Sequence, residues 1–148
     1  MGLLDAVALA AARLQAARHT QRSLWILTDG GEGSFGRTDE QLIAAVHAAQ
    51  APVHVFGLTD TQNSREPASR DMATLLEQLV RQTGGTSTTF DQLRSIPGAV
   101  TRVVIANRNQ YRLEFTPRSR QRQGYHDLAV HVNMPGLDIR ARAGYYVP

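Results

Sequence analysis

The stretch that decides the fold reads SLWILTDGG and occupies residues 23–31. It is too short for a helix, and its adjacent apolar side chains are typical of a central strand in a parallel sheet, where both faces are covered. The aspartate and two glycines that follow end the strand. Asp29 therefore comes at the carboxyl end of a buried strand, which is where open α/β sheets bind their ligands.

Helices and strands alternate outward from this strand. Helical spacing of apolar residues predicts helices over residues 3–17, from Thr38 or Asp39 to residue 49, over residues 72–83 and over residues 91–109. Two further strands are predicted at residues 53–58 (VHVFGL) and 86–90 (TSTTF). The alternation predicts the α/β class, with a Rossmann-like parallel sheet and flanking helices over residues 1–109.

The sequence pattern changes at residue 110. Short alternating stretches at residues 111–115, 125–132 and 137–142 predict three strands, the last two joined by residues 133–136. We therefore expect residues 110–148 to form a C-terminal antiparallel β meander that packs on the α/β unit.

Composition limits the class of protein. The 148 residues are 42% hydrophobic, which suits one packed core. The absence of cysteine excludes disulfides and cysteine-ligated metal sites. No stretch approaches the roughly 18 consecutive apolar residues of a membrane helix. The apolar N-terminus has no basic flank and contains Asp5, so we expect no membrane span and no signal peptide in this chain.

Catalytic motifs are not found in the sequence. The five histidines have no ligand or catalytic partner at a spacing such as HExxH. Ser34 has Glu32 two residues before it, where a nucleophile elbow requires glycine. We therefore expect no enzymatic activity.

Two binding motifs stay open as alternatives. Residues 31–36 form a literal G-x-G-x-x-G, with Asp60 beyond the next strand, as in a nucleotide-binding α/β protein. The best helix start lies after the last glycine, however, and Asp29 and Glu32 would place negative charge beside a phosphate.

The second alternative is polyanion binding through the C-terminal third. Residues 102–148 contain eight arginines and three acidic residues, against eight arginines and ten acidic residues over 1–101. Three of those arginines alternate over residues 118–122. No aromatic residues lie between them to stack on bases, so nucleic acid is not favoured as a partner.

The order of several motifs resembles a known family. These motifs are LLDA opening a helix at residues 3–6, WILTDGG at 25–31, APVHVFGL at 51–58 and a helix ending in TGG at residue 85. Together they resemble the second half of a von Willebrand factor A-like domain. The tail MPGLDIRARAGYYVP, residues 134–148, resembles the close of a bacterial, acidobacterial-type family related to it.

This resemblance implies a protein-interaction or adhesion-type module with a divalent cation at the carboxyl edge of its sheet. In the family, that ion is held by a D-x-S-x-S loop, a threonine and an aspartate at the end of the fourth strand. Asp29 matches the last ligand and belongs to the implied binding loop Asp29, Gly30, Gly31 and Glu32. The chain has no D-x-S-x-S, and the threonine position falls on Met1.

The adhesion site is therefore expected to be incomplete, because one carboxylate does not make a dedicated site for Mg²⁺. We expect no cofactor in this chain alone, and Mg²⁺ or Mn²⁺ only if other ligands are supplied elsewhere. The first three strands of the family fold are missing, which would leave an open edge on the strand at residues 24–28. The expected partner is another polypeptide, with a homo-oligomer through that edge as an alternative. The resemblance favours an extracytoplasmic location.

Overall fold

Strand β2, Val53–Leu58, is the centre of a three-stranded parallel sheet. The structure is a computed structural model, and it describes residues 2–29, 38–58, 67–116 and 123–147. Strand β1, Leu24–Thr28, pairs with one side of β2, and strand β3, Thr86–Phe90, pairs with the other. Both pairings are parallel. The predicted α/β sheet is confirmed, with its strands in the predicted segments.

Four helices cover the two faces of this sheet unequally. They are α1 (Leu3–Gln15), α2 (Asp39–Ala49), α3 (Pro67–Thr83) and α4 (Ile96–Arg108), with a single 3-10 turn at Leu93–Ser95 before α4. Buried residues of α1, α2 and α3 form one core with Ile26, Val53 and Val55. Helix α4 packs on the opposite face against Phe56 and Phe90. Among the described helices, three therefore lie on one face and one lies on the other. None of the described helices is both long and apolar enough to cross a membrane.

Local sequence signals account for the ends of these helices. The side chain of Thr38 caps α2 by accepting a hydrogen bond from the N–H of Gln41, at 3.3 Å. Helix α3 ends at Gly84, whose φ of +73° is the left-handed conformation that favours glycine. The N–H of Gly85 then donates to the carbonyl of Val80 at 3.0 Å, which completes a Schellman motif.

The same turn anchors the start of β2. The N–H of Val53 donates to the hydroxyl of Thr83 at 3.0 Å, and that hydroxyl donates to the carbonyl of Leu79 at 2.7 Å. A Cβ on Gly85 would overlap the Val53 carbonyl oxygen. Helix α3 and β2 therefore meet at a distance that only glycine permits.

The described part of the C-terminal region contains antiparallel strands as predicted, but they are fewer than the predicted three and differently placed. Strand β4, Gly124–Asp127, pairs with β5, Gly144–Val147. We call these two strands the C-terminal β-pair. One more bond, from the N–H of Leu128 to the carbonyl of Ala143, extends the ladder.

Three details of the predicted meander are wrong. Residues 111–115 are exposed and form no strand, the ladder of β4 does not extend past Leu128 although a strand was predicted to residue 132, and the returning strand follows residues 137–142 instead of including them. Gly144 explains the register, because a Cβ there would strike the Tyr125 ring and the His126 carbonyl. Pairing therefore forms where glycine lets the two strands approach, and alternation alone did not reveal that position.

The C-terminal β-pair lies against the ends of α2 and α3. The ring of Tyr125 meets His47 edge to face, with 5.6 Å between centroids. His47 belongs to α2, and its Nε2 lies 3.1 Å from Oε1 of Gln82 on α3. The backbone at Ala141 and Arg142 lies close against Gly84.

Two histidines are buried in this arrangement. Burial lowers the pKa of His47, the Gln82 hydrogen bond partly offsets this, and the charge of Arg142 lowers it further. Burial likewise lowers the pKa of His54, whose Nδ1 is 2.9 Å from the Thr86 hydroxyl. Asn107 lies near enough to raise the pKa of His54 in part, without completing a hydrogen bond to Nε2. The charge of Arg140 lowers this pKa further. Burial therefore favours the neutral form of both rings.

The glycine contact at the start of β2 gives a test of the fold. We expect Gly85→Ala to lower the free energy of unfolding by about 1–3 kcal/mol, the usual cost of overpacking, because the new methyl group meets backbone. Gly57→Ala is the matched control, since a Cβ there has no neighbour within 4 Å. Urea unfolding measures both, and equal stability of the two variants would contradict the proposed close approach.

The buried histidines predict a stability that depends on pH. The unfolded chain protonates histidine near pH 6.5, whereas the folded chain resists protonation until a lower pH. The two histidines therefore make their full contribution to the free energy of unfolding above about pH 6.5, and this contribution is lost as the pH falls below that value.

The measurement is the urea midpoint at pH 7.5 and pH 5.5. We expect His47→Gln and His54→Gln each to reduce the acid-induced drop, and His19→Gln, a change at an exposed histidine, to leave it unchanged. A drop that stays the same in both buried-site variants would contradict the prediction.

Candidate functional site

Strand β1 has a neighbouring strand on one side only, within the part of the chain that the structure describes. The N–H of Leu24 donates to the carbonyl of Pro52 at 2.9 Å, so the backbone groups of Leu24 point toward β2. Backbone groups alternate in direction along a strand, and those of Trp25 and Leu27 therefore point away from β2. We call this side the outer edge of β1.

The side chains at the same two residues lie on the α4 face of the sheet. Trp25 packs with the α4 core, and its ring lies 5.7 Å from His54 and 5.4 Å from Phe56, centroid to centroid. Leu27 follows on the same face but is 62% exposed. Strands of parallel sheets are normally covered on both faces, so Leu27 marks a position where a neighbour is missing among the described residues.

A shallow cleft of about 220 Å³ opens at the amino end of β1. Its lining consists of Gln21, Arg22, Ser23, Trp25, Val104, Asn107, Arg108 and Gln110. The indole Nε1 of Trp25 donates to the Ser23 hydroxyl at 2.7 Å, and the Asn107 amide approaches the same hydroxyl at 3.5 Å. The lining therefore contains two cations and no carboxylate.

The two cations belong to different elements. One guanidinium nitrogen of Arg22 donates to the carbonyl of Leu14 at 2.6 Å and approaches that of Gln15 at 3.4 Å, which caps the carboxyl end of α1. Arg108 is the last residue of α4 and is exposed. Neither arginine takes part in the two exposed ion pairs that join Arg112 to Glu114 and Arg140 to Asp138.

The predicted site residues lie at the opposite, carboxyl end of β1. Asp29 follows β1 directly and is exposed, in the position expected from the sequence. The other three predicted binding residues, Gly30, Gly31 and Glu32, lie outside the described residues. Over the described ranges, no group of three or more histidine, aspartate or glutamate side chains could hold a metal ion.

The two alternative motifs fall mostly outside the described residues as well. The G-x-G-x-x-G at residues 31–36 and the arginine-rich residues 118–122 are not described. Helix α2 begins at Asp39, after the last glycine, as predicted. Its first turn contains Asp39 and Glu40, and these carboxylates disfavour a phosphate at that helix end.

The sequence predicted the open edge of β1 but not the cleft. The bare edge was expected, but Arg22 is far in sequence from Asn107 and Arg108, and these residues carry no motif. Comparison with known proteins adds no further residue, because no protein-family model and no curated protein matches this chain.

A single family-type ligand predicts weak metal binding. Magnesium prefers six oxygens in near-octahedral geometry, so we expect no saturable micromolar binding of Mg²⁺ or Mn²⁺ by calorimetry. Asp29→Ala should therefore leave the titration unchanged, as should the control Asp71→Ala at another exposed carboxylate. Stoichiometric micromolar binding that is lost in Asp29→Ala and kept in Asp71→Ala would overturn this prediction.

Proposed function

We propose that this chain is a non-enzymatic protein-interaction module, similar to the later part of a von Willebrand factor A-like domain, that binds another polypeptide along the outer edge of β1. The observation that carries the proposal is the exposure of Leu27 on a strand of a parallel sheet. An apolar strand edge with unpaired backbone groups is a template for pairing with a further chain.

The position of the C-terminal β-pair supports this proposal. Tyr125 of the β-pair contacts His47 of α2, and the backbone at Ala141 and Arg142, just before β5, lies against Gly84 at the end of α3. Among the described strands, β4 and β5 form a sheet of their own and do not extend β1.

The proposal includes no metal-dependent step. Asp29 is the one residue that matches the family's ligand set, and adhesion through a bound cation requires further oxygens from elsewhere. Binding through the outer edge of β1 requires only backbone groups and apolar contact. The two modes therefore differ in their response to a chelator.

Position-specific crosslinking tests the proposed function. A photoreactive amino acid at Leu27 is compared with the same amino acid at Leu93, which is similarly exposed at 67% but lies in the 3-10 turn. We expect a defined polypeptide to be captured from position 27 only, to be displaced by excess unmodified protein and to be insensitive to EDTA. Identical products from both positions, or none from position 27, would refute the proposal.

A further inference from the structure

Cations line the amino end of the outer edge. At the amino end, Arg22 and Arg108 line the cleft beside Trp25, and no acidic residue lines it. Arg22 is held in place by the carbonyls at the end of α1, so its charge is fixed and is not on a freely moving side chain. One guanidinium group held in this way, with a second exposed one at the same cleft, favours a carboxylate as ligand.

The spacing along β1 places this charge within reach of a paired strand. Trp25 both lines the cleft and presents its backbone N–H and C=O at the outer edge. Leu27 presents the next N–H and C=O groups at this edge, about 7 Å further along the strand. A segment that pairs with both residues therefore has one end beside the cleft and an apolar side chain beside Leu27.

We infer that the partner at the outer edge of β1 is an extended acidic segment of a different polypeptide, added as a strand, with a carboxylate in the cleft beside Arg22 and Arg108. This inference rests on the proposed function and specifies the chemistry of its partner. Backbone pairing supplies affinity, Leu27 and the exposed edge of Trp25 select apolar residues, and the two arginines select an acidic residue.

The single tryptophan of the chain provides a direct signal, because Trp25 lies at the proposed site. The probes are eight-residue capped peptides that alternate valine and threonine and contain two glutamates at the amino end or at the carboxyl end. We expect one of them to change the Trp25 emission saturably, and which of the two binds reports the direction of the added strand. The matched peptides with lysine in place of glutamate should bind at least tenfold more weakly.

Variants separate charge recognition from general association. Arg108→Gln should weaken the glutamate peptide about fivefold, since exposed ion pairs contribute up to about 1 kcal/mol. Arg102→Gln removes another exposed arginine of α4 that does not line the cleft and should have no effect. Backbone N-methylation of alternate peptide residues should abolish binding, because it removes the donors needed for strand pairing.

Several results would overturn the inference. These are equal binding of glutamate and lysine peptides, no emission change with any peptide, and equal effects of the two arginine variants. Light scattering that finds a dimer of this chain, made monomeric by Leu27→Arg, would assign the edge to a second copy instead. If the peptides fail while position 27 still captures a different polypeptide, the partner chemistry is wrong and the proposed function stands.

Discussion

Strand β2 is held on both edges and on both faces, and the positions of the other elements follow from that constraint. Its first four residues, Val53 to Phe56, are all buried and alternate between the two cores. The Thr83 hydroxyl, the Gly85 close approach and the Pro52 carbonyl fix where it starts. Strands β1 and β3 pair with the two sides of β2 and take their register from it. The outer edge of β1 is therefore the side of β1 that lies away from β2.

The sheet and its helices could be predicted because their signals are local. Apolar runs marked the strands, Thr38 marked the start of α2, and Gly84 with Gly85 marked the end of α3. The C-terminal region has no such signals. Residues 111–115 alternate as a strand does, but an alternating segment becomes a strand only when a partner lies beside it, and Tyr111 is 94% exposed. The register of β4 and β5 depends on the contact between Gly144 and the Tyr125 ring, which joins residues nineteen positions apart.

The candidate site could be predicted only in part. The open edge was expected from the family resemblance together with the apolar strand at residues 24–28. The cleft requires the end of α1, the start of β1 and the end of α4 to meet, and only the packing of α4 on Trp25 brings them together. The buried His54 beside Trp25 belongs to the same packing.

Charge along β1 offers a physical reason for a protein partner in preference to a metal-dependent one. The exposed Asp29 at the carboxyl end is one oxygen ligand group, which is too few for Mg²⁺, whereas the amino end has two cations. A metal site would need more carboxylates at one point, whereas an extended acidic segment needs cations near one end of the edge. Arg22 and Arg108 meet the second requirement, and their charge would steer the acidic end of an incoming strand toward the cleft before backbone pairing begins.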